Sequence, residues 1–291
     1  MNMNLMDVIR SRGLIFDGAM GSMLIRNGIP GGHASESWNL EKPDMVRSIH
    51  QAYFQAGADV ATANTFGATS IKLKKAGLDG RRKEINLAGV RLAREAATPG
   101  KWVAGDMGPT GELLAPSGTL PVEAAIDGYA EQASSLADAG VDLLIVETMY
   151  DLEEALAAVT GIQRVTSLPI FVTMTFQQSP SGFVTIMGNW VEPSVRKLED
   201  AGVAAVGANC SLGSDTMIEL AREIRKAVRI PVVIQPNAGI PQIRGSETVY
   251  PESPEQFAEN IAKIRAEGVE IVGGCCGTTP ETITRIRERI G

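Results

Sequence analysis

At 291 residues the chain exceeds a common single domain but suits an α/β barrel of about 250 residues, and 44% apolar with 21% charged residues is globular composition. Disordered, collagenous and coiled-coil chains are excluded. A net charge of −7 offers no attractive field to nucleic-acid phosphates or anionic lipid. The first residues lack the apolar core of a signal peptide, and no apolar run approaches the roughly 18 residues that span a membrane. The expectation is a cytoplasmic enzyme with no nucleic-acid or membrane partner.

Eight apolar runs rich in β-branched residues follow one another, at residues 14–17, 60–66, 101–107, 141–149, 169–176, 203–211, 230–237 and 269–276, each succeeded by helical periodicity. Several runs are entered through a helix-ending phrase such as Ala56-Gly57-Ala58-Asp59 or Ala139-Gly140-Val141-Asp142, where glycine suits a left-handed C-cap. The connections after the strands are longer, at 21–42, 108–120, 177–189 and 238–253. Long loops at one end only are those of a (β/α)8 TIM barrel whose C-terminal rim carries function. The competing architecture is a doubly wound open sheet, whose Gly-x-Gly-x-x-Gly turn is missing after the first run. No linker or low-complexity stretch divides the chain, so one domain over 1–291 is expected.

In a barrel the polar residues at strand ends share one mouth. They are Asp17, Asn64 with Thr65, Asp106, Glu147 with Thr148, Thr175, Asn209 with Cys210, Asn237, and Cys275 with Cys276. All three cysteines of the chain lie among them, an odd number that fits no disulfide framework. Two readings stay open: three thiolates on one soft ion, zinc above all, with a coordination position to spare, or three separate small buried side chains. Vicinal cysteines point to opposite faces of a regular strand, so convergence requires a break in alternation, for which Gly273, Gly274 and Gly277 supply freedom. His50, in a helix, reads as a surface residue, and His33, in a rim loop, is the remaining histidine near the mouth. A vicinal redox pair would lack the Cys-x-x-Cys helix context.

Gly207-Ala208-Asn209-Cys210-Ser211 and Gly273-Gly274-Cys275-Cys276-Gly277-Thr278 resemble the paired zinc signatures of the homocysteine S-methyltransferase family. Asp17-Gly18-Ala19-Met20-Gly21, Asn64-Thr65-Phe66-Gly67, Gly108-Pro109-Thr110-Gly111, Glu147-Thr148-Met149 and Pro236-Asn237-Ala238-Gly239 are similar to the rest of its pattern. The likeness is in particular to the homocysteine-binding module of cobalamin-dependent methionine synthase. It implies methyl transfer to the thiolate of homocysteine, giving methionine, with zinc held by Cys210, Cys275 and Cys276 and by Asn237 before substrate binds. It also implies that Asp17 and Glu147 hold the substrate ammonium, while the N–H groups of Gly18 and Ala19, with Thr65, receive the carboxylate. Structural alternatives stand beside these: Glu147 as an acid before a helix N-terminus, Asp17 in an Asp-Gly turn, Asn237 in an Asx turn.

The methyl donor is less determined. The resemblance implies a methyl-corrinoid, and since no folate, cobalamin or reactivation domain and no Asp-x-His-x-x-Gly signature is present, cobalamin would come from a partner corrinoid protein or free solution. Betaine- or S-methylmethionine-dependent transfer is the alternative, as is a thiol-binding or corrinoid-docking module that is inactive alone. Betaine would want an aromatic cage, for which Phe176, Phe183, Trp190 and Tyr250 are near the rim. Gly105-Asp106, where relatives often have Gly-Ser, and the segment after the fifth run depart from the family pattern.

Overall fold

The computed structural model describes residues 4–245 and 247–291. Each expected run supplies one strand of a parallel sheet: Leu14–Ile15, Val60–Thr62, Trp102–Met107, Leu143–Met149, Ile170–Met174, Ala205–Gly213, Val232–Asn237 and Ile271–Val272, numbered one to eight. Strand eight pairs with strand one through Leu14↔Ile271 and Ile15↔Val272. The ring closes between strands one and two, where Phe16 bridges Val60, the Asp17 N–H donates to the Val60 carbonyl (3.0 Å) and the Asp59 N–H to that of Ile15 (2.7 Å). Closure removes the two edges of an open sheet, so the fold is a (β/α)8 TIM barrel. The glycines of the helix-ending phrases, Gly57, Gly140, Gly202 and Gly268, have φ of +105°, +85°, +83° and +89°.

Alternation along the strands sorts the side chains. Phe16, Val60, Ala104, Leu143, Ile145, Phe171, Ala205, Val233 and Ile271 fill the interior, with the Phe16 and Phe171 rings 6.2 Å apart. Their neighbours Val103, Leu144, Val146, Val172, Val206, Ile234 and Val272 pack in the cluster under the outer helices. The helix Leu5–Arg12, capped by the Asn4 side chain, stops the bottom of the barrel with Leu5, Val8 and Ile9. Beside it the buried Asp59 carboxylate accepts bonds from the Ile15 N–H (3.0 Å), Arg12 (3.1 and 3.2 Å) and Arg287 (2.8 Å), fastening first and last helices to the sheet.

Function is left to the opposite end, where the long loops add two hairpins, Gln177–Ser179 with Gly182–Val184 and Gln242–Arg244 with Glu247–Val249. One expectation fails here. His50 is no surface residue: it is fully buried in the helix Pro43–Gln55, and desolvation pushes its imidazole down to about 4. The helix buries Val46, Ile49, Tyr53 and Phe54 on the same side, and the histidine lies within that face.

Candidate active site

Continuing the inward positions upward replaces apolar groups by polar ones. Val60 leads to Thr62, Ala104 to Asp106, Ile145 to Glu147, Phe171 to Thr173, Ala205 to Asn209, and Val233 to Gln235. These cap the core, and Thr62, Asp106, Glu147 and Gln235 among them line a cavity of about 260 Å³ at the C-terminal mouth.

Cys210 shares parity with the outward Val206 and Ala208, so a regular strand would turn it toward the helices. Instead the register of strand six breaks between Asn209 and Gly213, and Cys210 and Ser211 adopt φ of 61° and 59°. This bulge swings the thiol over the mouth. Strand four breaks likewise between Val146 and Met149, with Thr148 at φ 61°. Asn209 ties the two irregularities together: its Oδ1 accepts from the Thr148 N–H (2.8 Å) and Thr173 hydroxyl (2.9 Å), and its Nδ2 donates to Thr148 Oγ1 (2.7 Å).

The vicinal pair lies beyond strand eight, in a turn where the Thr278 N–H and hydroxyl both bond the Cys275 carbonyl (3.2 and 2.7 Å). The Cys275 N–H donates to the Pro236 carbonyl (2.7 Å) and the Cys276 carbonyl accepts from the Ala238 N–H (2.9 Å), so the pair is pinned to the end of strand seven. Of the three flanking glycines only Gly277 uses left-handed backbone (φ 84°). Gly273 and Gly274 serve close approach instead, since a Cβ would stand 2.8 Å from that of Phe16 and 2.5 Å from Thr278 Oγ1.

The result is a cluster in which all three sulfurs lie within 4.8 Å of one another, Cys210 and Cys276 at 4.0 Å. Tetrahedral coordination with bonds of about 2.3 Å sets sulfurs about 3.8 Å apart, so the set fits a single soft ion. Hydrogen bonds from Cys275 and Cys276 push the Cys210 thiol down to about 3, while the bond to Cys210 pushes Cys276 up to about 11 and raises Cys275 as well. One negative charge is thus held by two protonated partners. Asn209 Nδ2 lies 3.8 Å from Cys275 Sγ, an outer hydrogen bond to the cluster. Asn237 is buried beside Cys210 with its Oδ1 unpartnered, and that orphaned oxygen in a set of three thiols is a donor suited to an ion.

Carboxyl groups form the facing wall. Asp17 accepts from the Thr62 N–H (2.9 Å) and hydroxyl (2.8 Å), and burial pushes it up to about 7. Glu147 is pushed up to about 8, by burial first and then by the negative Cys210 and Asp17. Asp106 joins them on the cavity wall. Gly18 and Ala19 line the cavity, and the Ala19 N–H is shared with the Thr278 hydroxyl (3.2 Å). Thr65 is placed elsewhere: fully buried, it exchanges bonds with the Asp106 backbone (2.8 and 3.1 Å) behind the wall. His33 pairs with Ser37 (2.9 Å) and Glu41 (3.3 Å), away from the sulfurs. Phe176 and Phe183 belong to the core, and none of the four anticipated aromatic residues lines this cavity, whereas Phe66 does. The sequence places Asn209 among the polar strand-end residues of the mouth but assigns it no role in holding Thr148. The inward parity of Asn209 was the available signal.

Comparison with known proteins agrees with this geometry. The chain is 34% identical to the methionine synthases of Mycobacterium leprae and Mycobacterium tuberculosis across 97% of its length, and spans about a quarter (25%) of theirs. The crystal structure of the metallated Escherichia coli homocysteine methyltransferase MmuM superposes over 99% of this chain and 100% of its own, with TM-score 0.83 and 25% identity. The carboxyl transferase domain of Rhizobium etli pyruvate carboxylase, TM-score 0.56 at 15% identity, shares the fold alone. The pattern of the homocysteine S-methyltransferase family matches residues 14–290, and the chain belongs to that family.

Proposed function

We propose that the chain transfers a methyl group to the sulfur of homocysteine, giving methionine, with zinc held by Cys210, Cys275 and Cys276. The observation that carries this reading is the facing of a sulfur cluster and a carboxyl wall across one small cavity, which matches a ligand with a thiol at one end and an ammonium at the other. A free thiol of pKa about 8.5 is mostly protonated at neutral pH and a poor nucleophile. Zinc supplies the Lewis acidity that keeps such a sulfur ionised. Asn237 stands at the cluster as a weak, displaceable oxygen donor. Asp17 and Glu147 orient the ammonium, and the Gly18-Ala19 backbone receives the carboxylate, which fixes the sulfur toward the mouth.

The donor in the first reading is a methyl-corrinoid, free or on a partner protein, as the likeness to methionine synthases suggests. The second reading is a small sulfonium or quaternary ammonium donor, which the likeness to the homocysteine methyltransferase MmuM leaves open. Incubation of the zinc-loaded protein with homocysteine and methylcobalamin, S-methylmethionine or betaine should yield methionine with at least one donor, and Cys210→Ala should lose both metal and turnover. No methionine with any of them, or with a methyl-corrinoid protein added, would overturn the reading.

A further inference from the structure

Asp106 is 6% exposed, is the last but one residue of strand three at an inward position, and lines the cavity beside Glu147. Its backbone is fully engaged: the N–H bonds Thr65, and the carbonyl accepts from Thr65 and Gln132. The side chain is not, for its buried Oδ1 has no hydrogen-bond partner. Among the described residues no cation pairs with it. Lys72 is the nearest positive influence, and its ammonium stands over the Phe66 ring at 4.4 Å. Asp17, by contrast, already accepts two bonds from Thr62.

A buried carboxyl with an empty acceptor is costly unless something arrives to meet it. Burial, followed by the charges of Glu147, Glu36 and Asp17, holds it well above the usual carboxylate range. An ammonium has three N–H donors, and two carboxyls with unfilled acceptors converge with Asp17 on one cavity.

We propose that Asp106 is a substrate-contacting residue that accepts an N–H of the substrate's α-ammonium, so that this chain discriminates amino-acid thiols from thiols lacking the amino group. This deepens the reading under Proposed function and rests on it. Asp106 lines the same cavity as the sulfur cluster, with this buried oxygen unpartnered. A thiol acid without the ammonium would leave that oxygen unmet.

The test is calorimetric binding of homocysteine and of its desamino counterpart, 4-mercaptobutanoate, to zinc-loaded wild type and Asp106→Asn, with circular dichroism and zinc content as controls. Asp106→Asn should weaken homocysteine by about tenfold to a hundredfold, the range of a hydrogen bond to a charged group, and change 4-mercaptobutanoate less than about twofold. Asp106→Glu should recover part of the loss, and Asp106→Ser serves if the asparagine variant does not fold. Equal weakening of both ligands, or none, overturns the assignment while leaving the functional reading intact. Wild-type protein that binds no homocysteine overturns the functional reading and this one with it.

Discussion

The Asn209 side chain holds both the N–H and the hydroxyl of Thr148, at 2.8 and 2.7 Å, so the residue before the first cysteine fixes the residue after Glu147. The two kinks that aim a sulfur ligand and a carboxyl into the cavity are therefore one unit. Asn209→Ala removes four hydrogen bonds at once, including the long contact to Cys275. It should cost about 2 kcal/mol in urea unfolding and weaken zinc about tenfold or more in chelator competition. Unchanged metal affinity would show that the cysteines are positioned without it.

Zinc uptake should release protons. Cys276, pushed up to about 11, and Cys275, also raised, are protonated at neutral pH, whereas Cys210 at about 3 is not. Coordination by all three as thiolates expels about two protons per ion, so affinity must rise with pH. Titrations in buffers of different ionisation enthalpy give the number directly. A value near zero would mean that the cysteines do not bind as a thiolate trio.

Binding of methionine to the metal-free protein isolates the carboxyl wall, because this ligand carries the ammonium and carboxylate but no ionisable thiol. Asp17 near 7 and Glu147 near 8 are largely protonated below neutrality and must ionise to meet the ammonium. Affinity should increase from pH 6 to pH 8, by up to about tenfold per unit for each group involved. Glu147→Gln should flatten the upper part of the profile. A flat wild-type profile would remove these carboxyls from ammonium binding.

At the bottom of the barrel the expectation is the reverse, stability without function. Burial pushes Asp59 up, but bonds from Arg12, Ile15 and Arg287 outweigh it, and the net shift is downward from 3.8. A carboxylate with a depressed folded value contributes stability that is present above the unfolded value and lost as pH falls through the folded one. Asp59→Asn should cost about 3 kcal/mol at pH 7, a difference that shrinks below about pH 4, while leaving zinc content unchanged. Denaturant melts at several pH values would check it.

The strands, the barrel and the rim placement of all three cysteines were legible because apolar alternation and glycine helix ends repeat through the chain. Period-two counting also reaches Asp106 and Glu147. It fails at Cys210, whose parity points outward and whose position depends on a bulge that no local residue type announces. Thr65 and Asn64 are adjacent strand-end polar residues, yet only Asn64 lines the cavity while Thr65 bonds the Asp106 backbone, a distinction made by packing. His50 was misplaced because one polar residue on an apolar helix face carries no signal of its own.

Strand eight is paired over only two residues on each side, Ile271 and Val272 against strands one and seven. Its continuation carries two of the three sulfurs, and the third lies across strand seven on strand six. An ion bound by all three would act as a clasp, joining positions 66 residues apart and cutting the entropy gained by releasing the last βα unit. Metal occupancy and retention of that unit would then be a single equilibrium, with protease sensitivity of the terminal helix Pro280–Ile290 reporting how full the site is.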